Sequence, residues 1–142
     1  MGKIVFDDEP DKVPEATYAG INYVDKVSCK EVIRYNEGAG KKKVVLVDCG
    51  VKTNIIRCLL KRDVEVIRVP WNHDFTGMEY DGLFISNGPG DPDTCDEAVQ
   101  HIRKAMSLSD KPIFGICMGN QLLSKAGGAI IYKLKYLSLI HI

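Results

Sequence analysis

A surplus of charge of either sign is missing from this 142-residue chain: nineteen Lys and Arg balance nineteen Asp and Glu, for a formal net charge of zero. No basic block is longer than Lys41-Lys42-Lys43, so nothing resembles a nucleic-acid or anionic-membrane surface. No apolar run approaches membrane-spanning length. The first residues turn acidic at Asp7-Asp8-Glu9 before a signal-length apolar stretch develops, and Phe6 stands where a myristoylation signal needs Ser or Thr. The five cysteines, at 29, 49, 58, 95 and 117, include no C-x-x-C pair, which removes a zinc knuckle or dithiol motif and fits a reducing compartment. A cytoplasmic protein is expected. There is no G-x-x-x-x-G-K-[ST] loop, so ATP is not expected to bind by that route.

With 45% hydrophobic residues, the chain can bury one modest core plus an appendage. Residues 1–40 are mixed, with Pro10, Pro14 and a Gly38-Ala39-Gly40 hinge. Short apolar pieces such as Ile21 to Val27 make no core alone, and the segment reads as the trailing end of another domain plus a linker.

From Lys41 onward the pattern is regular. Val44 to Val47 is a fully apolar, β-branched run of buried-strand type, and Val64 to Val69 predicts a second strand, ended by Pro70. Between them Val51, Ile55, Ile56, Leu59 and Leu60 recur at helical spacing across 51–62, opposite Lys52, Asn54, Lys61 and Arg62. Leu83 to Ser86 predicts a third strand, and Pro112 to Ile116 a fourth. Between these two, Thr94 and Glu97 have capping-box spacing, and Cys95, Val99, Ile102 and Met106 form one apolar stripe. A further helix is expected over 118–126, stopped by Gly127-Gly128, and 129–136 could form another strand. Alternating strands and helices imply an open, mostly parallel α/β sheet, which binds ligands at the carboxyl ends of its strands.

Two loops should meet at that edge. The run Gly115-Ile116-Cys117-Met118-Gly119 is the cysteine form of the G-x-S-x-G nucleophile elbow, which exposes the nucleophile on a sharp strand-to-helix turn. The helix that Cys117 opens should favour its thiolate through unpaired N–H groups and the helix dipole. A buried cysteine between packing glycines is the competing reading. The other loop is Asn87-Gly88-Pro89-Gly90-Asp91-Pro92-Asp93. Its glycines can turn backbone amides toward a tetrahedral oxyanion, with the Met118 amide as the second donor. It could also be only a tight turn. It does not continue as a dinucleotide fingerprint, because Asp93 takes the third glycine position and Asp91 and Asp93 would repel a pyrophosphate.

A general base is harder to find. His101 is expected mid-helix on the solvated side. His73, after the second strand, could approach the active edge but has no carboxylate placed to orient it, and His141 is followed only by Ile142.

Three stretches together carry a family resemblance: Val47-Asp48-Cys49-Gly50-Val51-Lys52-Thr53-Asn54-Ile55, Ser86-Asn87-Gly88-Pro89-Gly90-Asp91-Pro92 and Gly115-Ile116-Cys117-Met118-Gly119-Asn120-Gln121-Leu122-Leu123. From about Lys3 to Tyr136 the chain resembles the class I glutamine amidotransferases. The first two stretches resemble most the small, glutamine-hydrolysing subunit of carbamoyl-phosphate synthase. The resemblance implies a flavodoxin-like α/β fold, with Cys117 as the nucleophile forming a γ-glutamyl thioester. Gly88, Gly90, Met118 and Gln121 would contact L-glutamine or its oxyanion. It implies, as partner, the carbamoyl-phosphate synthase large subunit, which takes the ammonia and uses bicarbonate and ATP to make carbamoyl phosphate for arginine and pyrimidine synthesis. ATP and metal belong to that partner, and no cofactor or metal is expected in this chain.

Asn120 departs from the histidine common at that place. After Lys133-Leu134-Lys135-Tyr136 the family's Gly-His-Arg segment and later H-x-E pair have no counterpart, and 137–142 reads as an aberrant tail. The division expected is therefore 1–40 as the end of the small subunit's N-terminal domain with its linker, and 41–142 as an incomplete amidotransferase domain, a fragment too poor in bases to turn glutamine over efficiently. Alternatives are an amidotransferase of the anthranilate or GMP synthase type, a flavodoxin-like cysteine hydrolase or redox sensor, or a non-catalytic module that docks on a synthetase.

Overall fold

The computed structural model describes residues 20–133 and 140–141. The elements are α1 (Tyr23–Val27), β1 (Ile33–Tyr35), β2 (Lys42–Asp48), α2 (Thr53–Leu60), β3 (Val64–Pro70), β4 (Gly82–Ile85), a 3₁₀ turn (Pro92–Thr94), α3 (Asp96–Leu108), β5 (Ile113–Gly115), α4 (Met118–Ala126), and a two-residue ladder of β6 (Tyr132–Lys133) with β7 (Ile140–His141).

Five strands form one sheet in the order β1-β3-β2-β4-β5. All neighbours are parallel except β1, which runs antiparallel to β3. The apolar runs lie inside because both faces are covered. Along β2, Val45 and Val47 face a core built with α3 and α4, while Leu46 faces Ile56 of α2 and Val66 of β3. This period-two partition makes a continuous apolar run the signature of a central strand. The chain builds outward from β2 to β3, then returns across the α3 face through Trp71 and the fully buried Phe75 to β4 on the other side of β2. The carboxyl ends of β2 and β4 therefore sit at a topological switch point.

Residues before 40 take part in this fold. Val24 is 1% exposed and joins the α3/α4 core, and β1 extends the sheet. The segment 22–29 lies across the carboxyl edge. Asn22 Nδ2 donates to the Thr94 carbonyl at 2.9 Å, Ser28 Oγ accepts from Trp71 N at 3.0 Å, and Cys29 N donates to Asp48 Oδ2 at 2.8 Å.

Several local expectations are corrected. Helix α2 begins at Thr53 rather than 51, because the Asp48 carboxylate takes the Gly50 and Val51 N–H groups at 2.9 and 2.8 Å and holds them in a loop. The Thr94/Glu97 capping box does not form. Asp91 accepts from Asp93 N to open the 3₁₀ turn, Thr94 Oγ1 donates to the Asp91 carbonyl, and α3 starts from Cys95 with no side-chain cap. Met106 leaves the apolar stripe, 42% exposed, and Ala98 and Ala105 take the buried face with Ile102. One turn along from Ala98, His101 lies at the margin of that face. It is half-buried rather than solvated, its ring edge-on to Phe75 at 6.3 Å between centroids. The strand expected over 129–136 is represented only by β6, outside the main sheet, and 134–136 fall outside the described residues, as do 137–139 of the tail.

Candidate active site

Cys117 stands between β5 and α4 with φ 52° and ψ −108°, and it is exposed. Such a backbone costs a non-glycine residue about 1–3 kcal/mol and persists only where its surroundings over-determine it. Here the flanking glycines do so. A Cβ on Gly115 would lie 2.5 Å from the Gly119 carbonyl carbon and 2.6 Å from Asn120 N. One on Gly119 would strike the Ile85 carbonyl oxygen and lie 2.8 Å from the Ser86 oxygen. The start of α4 therefore rests directly on the carboxyl end of β4, and Cys117 is turned out at the crest. Ile116 N donates to the Ile85 carbonyl at 3.0 Å, and Gln121 N to the Cys117 carbonyl at 3.0 Å.

The loop after β4 shares this wall. Gly88 is seated against the Cys49 carbonyl so closely that a Cβ would lie 2.9 Å from Cys49 Cβ. Gly90 has φ +89°, a conformation that favours glycine, and an added Cβ there would lie 3.2 Å from Tyr23 Cβ. Met118 is 2% exposed with its side chain in the core, so only its backbone can serve the site. As the first residue of α4, its N–H has no acceptor within the helix. Gln121 is half-buried one turn into α4. Lys125 ties α4 to the same loop through Asp93 at 2.7 Å and to the first residue of α3 through Asp96 at 3.3 Å.

No histidine joins this group among the described residues. His73 follows β3, which is three strands from β5, about 14 Å at ordinary strand spacing. His101 faces Asp74 at 3.9 Å, and the side chain of His141 lies outside the described residues. No cluster of three or more metal-binding side chains occurs among the described residues either.

Three of the other cysteines, 29, 49 and 95, are disfavoured as nucleophiles. Burial pushes Cys49 and Cys95 up from the ordinary thiol value, and burial with the neighbouring Asp48 charge pushes Cys29 up to about 11. Asp48 is fully buried and accepts from Cys29 N, Gly50 N, Val51 N and the Arg68 guanidinium, the last at 2.5 Å. Burial raises its carboxyl, but the three backbone donors and Arg68 outweigh that and hold it below the ordinary carboxylate value. The polar hub of Asp48 and Arg68, like the 22–29 strap, was missed in reading the sequence. Its one available signal is an acidic residue ending the apolar run Val44 to Val47.

The model of the family "glutamine amidotransferase class-I" matches residues 45–140. A carbamoyl phosphate synthase small chain of Pyrococcus furiosus is 46% identical over 130 residues, covering 89% of this chain and 35% of that one. The multifunctional protein CAD of Squalus acanthias is 46% identical over 138 residues, 96% of this chain and 6% of its own. The human mitochondrial protein named carbamoyl-phosphate synthase [ammonia] is 45% identical over 135 residues, 94% of this chain and 9% of its own. The chain thus spans about a third or less of these relatives. In structure it resembles a putative GMP synthase component of Thermoplasma acidophilum, with TM-score 0.59 and 28% identity over 67% of this chain and 49% of that one.

Proposed function

This chain belongs to the class-I glutamine amidotransferase family, and on that premise we propose that Cys117 takes ammonia from L-glutamine to supply carbamoyl phosphate synthesis. The Cys117 sulfur attacks the side-chain amide carbon, and the S–C bond forms. The C–N bond then breaks, and the nitrogen takes the proton given up by the Cys117 thiol and leaves as ammonia, with a γ-glutamyl thioester left on the sulfur. The oxyanion formed on the way is held by backbone amides from the Gly88–Gly90 loop and Met118. Gln121, one turn along α4, holds the glutamine.

The observation that carries this reading is the exposed Cys117 in a strained elbow packed on the carboxyl end of β4. Identity near 46% to a small chain and to CAD supports the carbamoyl phosphate synthase branch over the GMP synthase type. The ammonia would pass to a large synthetase partner that holds the ATP and metal.

A second reading follows from the comparable identity to a relative named for ammonia: a module that docks on a synthetase without using glutamine. Alkylation separates them. Glutamine should slow labelling of Cys117 by iodoacetamide while leaving exposed Cys58 unaffected. Equal labelling with and without glutamine favours the docking module.

A further inference from the structure

Asn87 opens the loop that the proposed reaction depends on, and both polar atoms of its side chain are engaged by the segment that follows β2. Its Nδ2 donates to the Gly50 carbonyl at 3.1 Å, and its Oδ1 accepts from Lys52 N at 3.3 Å. Its own carbonyl accepts from the fully buried Ser86 hydroxyl at 2.9 Å, and that hydroxyl accepts in turn from Cys49 N at 2.9 Å. All these partners outside the loop come from the end of β2. The Asn87 carbonyl and the Gly88 N–H belong to one planar trans peptide, so they point in opposite directions. A carbonyl held toward β2 turns the Gly88 N–H toward the other neighbour of β4, which is β5, the strand that delivers Cys117.

We propose that Ser86 and Asn87 are positioning residues that aim the Gly88 amide at the oxyanion formed on Cys117. Neither touches the reacting atoms. The Asn87 carboxamide bridges the loops after β2 and β4 beyond the point where the strands stop pairing, and the Ser86 hydroxyl sets the peptide plane. Gly88 also packs against the Cys49 carbonyl so closely that an added Cβ would clash there.

The inference rests on the amidotransferase reading, and its test must separate the two. A suitable probe is the p-nitrophenyl ester of the glutamate side-chain carboxyl. The Cys117 thiolate displaces p-nitrophenolate, which leaves with the bonding electron pair, so no general acid is required and the test does not depend on a histidine beside Cys117. Stopped-flow release of p-nitrophenolate would be followed for the parent chain and for Asn87→Ala, Asn87→Asp and Ser86→Ala, with Cys117→Ser as blank.

A mis-aimed oxyanion donor should lower the maximal acylation rate by about tenfold to a hundredfold. The half-saturating ester concentration and the iodoacetamide rate at Cys117 should stay within about twofold, the pattern of an interaction made only in the transition state. Asn87→Asp, which keeps an acceptor for Lys52 N but loses the donor to Gly50, should fall between the parent and Asn87→Ala. If Ser86→Ala fails to fold, the two Asn87 variants decide. Parent-like maximal rates in folded Asn87 variants overturn the positioning role and leave the nucleophile intact. An equal loss of acylation and simple alkylation also overturns it, since that marks general damage to the elbow. No burst from the folded parent overturns the amidotransferase reading itself, and this inference with it.

Discussion

Replacing Gly119 by alanine should destabilise the protein by about 2 kcal/mol, although Gly to Ala inside a helix ordinarily stabilises by roughly 0.5–1 kcal/mol. The added Cβ would strike the Ile85 carbonyl oxygen, with the Ile85 carbonyl carbon at 2.6 Å and the Ser86 oxygen at 2.8 Å. These are backbone atoms of β4 and its continuation and cannot rotate aside, so α4 must lift from the sheet. Overpacking of this kind costs about 1–3 kcal/mol; its upper end, less the helix gain, leaves the net figure. Gly127, at the end of the same helix, is the control. Its φ is −75°, and an added Cβ would lie 3.4 Å from the Ser124 oxygen. Gly127→Ala should therefore be neutral or stabilising by up to about 1 kcal/mol. Urea unfolding followed by fluorescence of Trp71, the single tryptophan and 7% exposed, measures both. A Gly119→Ala variant as stable as the Gly127→Ala variant would refute the close packing of the elbow on β4.

Asp48→Ala should cost about 3–5 kcal/mol, because it leaves Arg68 unpaired in a largely buried position; denaturant unfolding checks it. Since the folded-state pKa of Asp48 is lowered, its contribution is present above the unfolded value near 3.9 and is lost as pH falls through the folded value. Melting of the parent should therefore decline in acid more steeply than that of Asp48→Ala. Val24→Ala should cost about 1–3 kcal/mol if the 22–29 strap belongs to the core, and a change under about 0.5 kcal/mol, ordinary for a surface substitution, would contradict that placement. Brief alkylation followed by peptide mapping should mark Cys117 and Cys58, which are exposed, and spare the buried Cys49 and Cys95.

Much of this molecule is legible without coordinates. Within β2 the run Val44 to Val47 is apolar throughout because both sheet faces are covered there, and the α4 bounds follow from an elbow before the helix and two glycines after it. The sheet class, and the placing of the Cys117 and Gly88–Gly90 loops after the adjacent parallel strands β5 and β4, then follow from parallel topology. What escapes is what periodicity does not encode. Val24 is a single buried apolar residue in a five-residue helix, and β1 is only three residues long, so neither produces a pattern. Met106 and His101 were misplaced because a helical stripe is wide, and its buried centre is set by which residue must be small against the neighbouring helix, here Ala98 and Ala105. Asp48 and Asn87 act through backbone groups contributed by other loops, which leave no trace in side-chain spacing.

The most direct measurement is mass spectrometry of the folded chain quenched in acid after exposure to glutamine, with Cys117→Ser alongside. A γ-glutamyl adduct on the peptide containing Cys117, absent from the variant, is the expected result. A folded chain that carries no adduct and whose Cys117 is alkylated equally fast with and without glutamine would contradict a nucleophilic role for this residue.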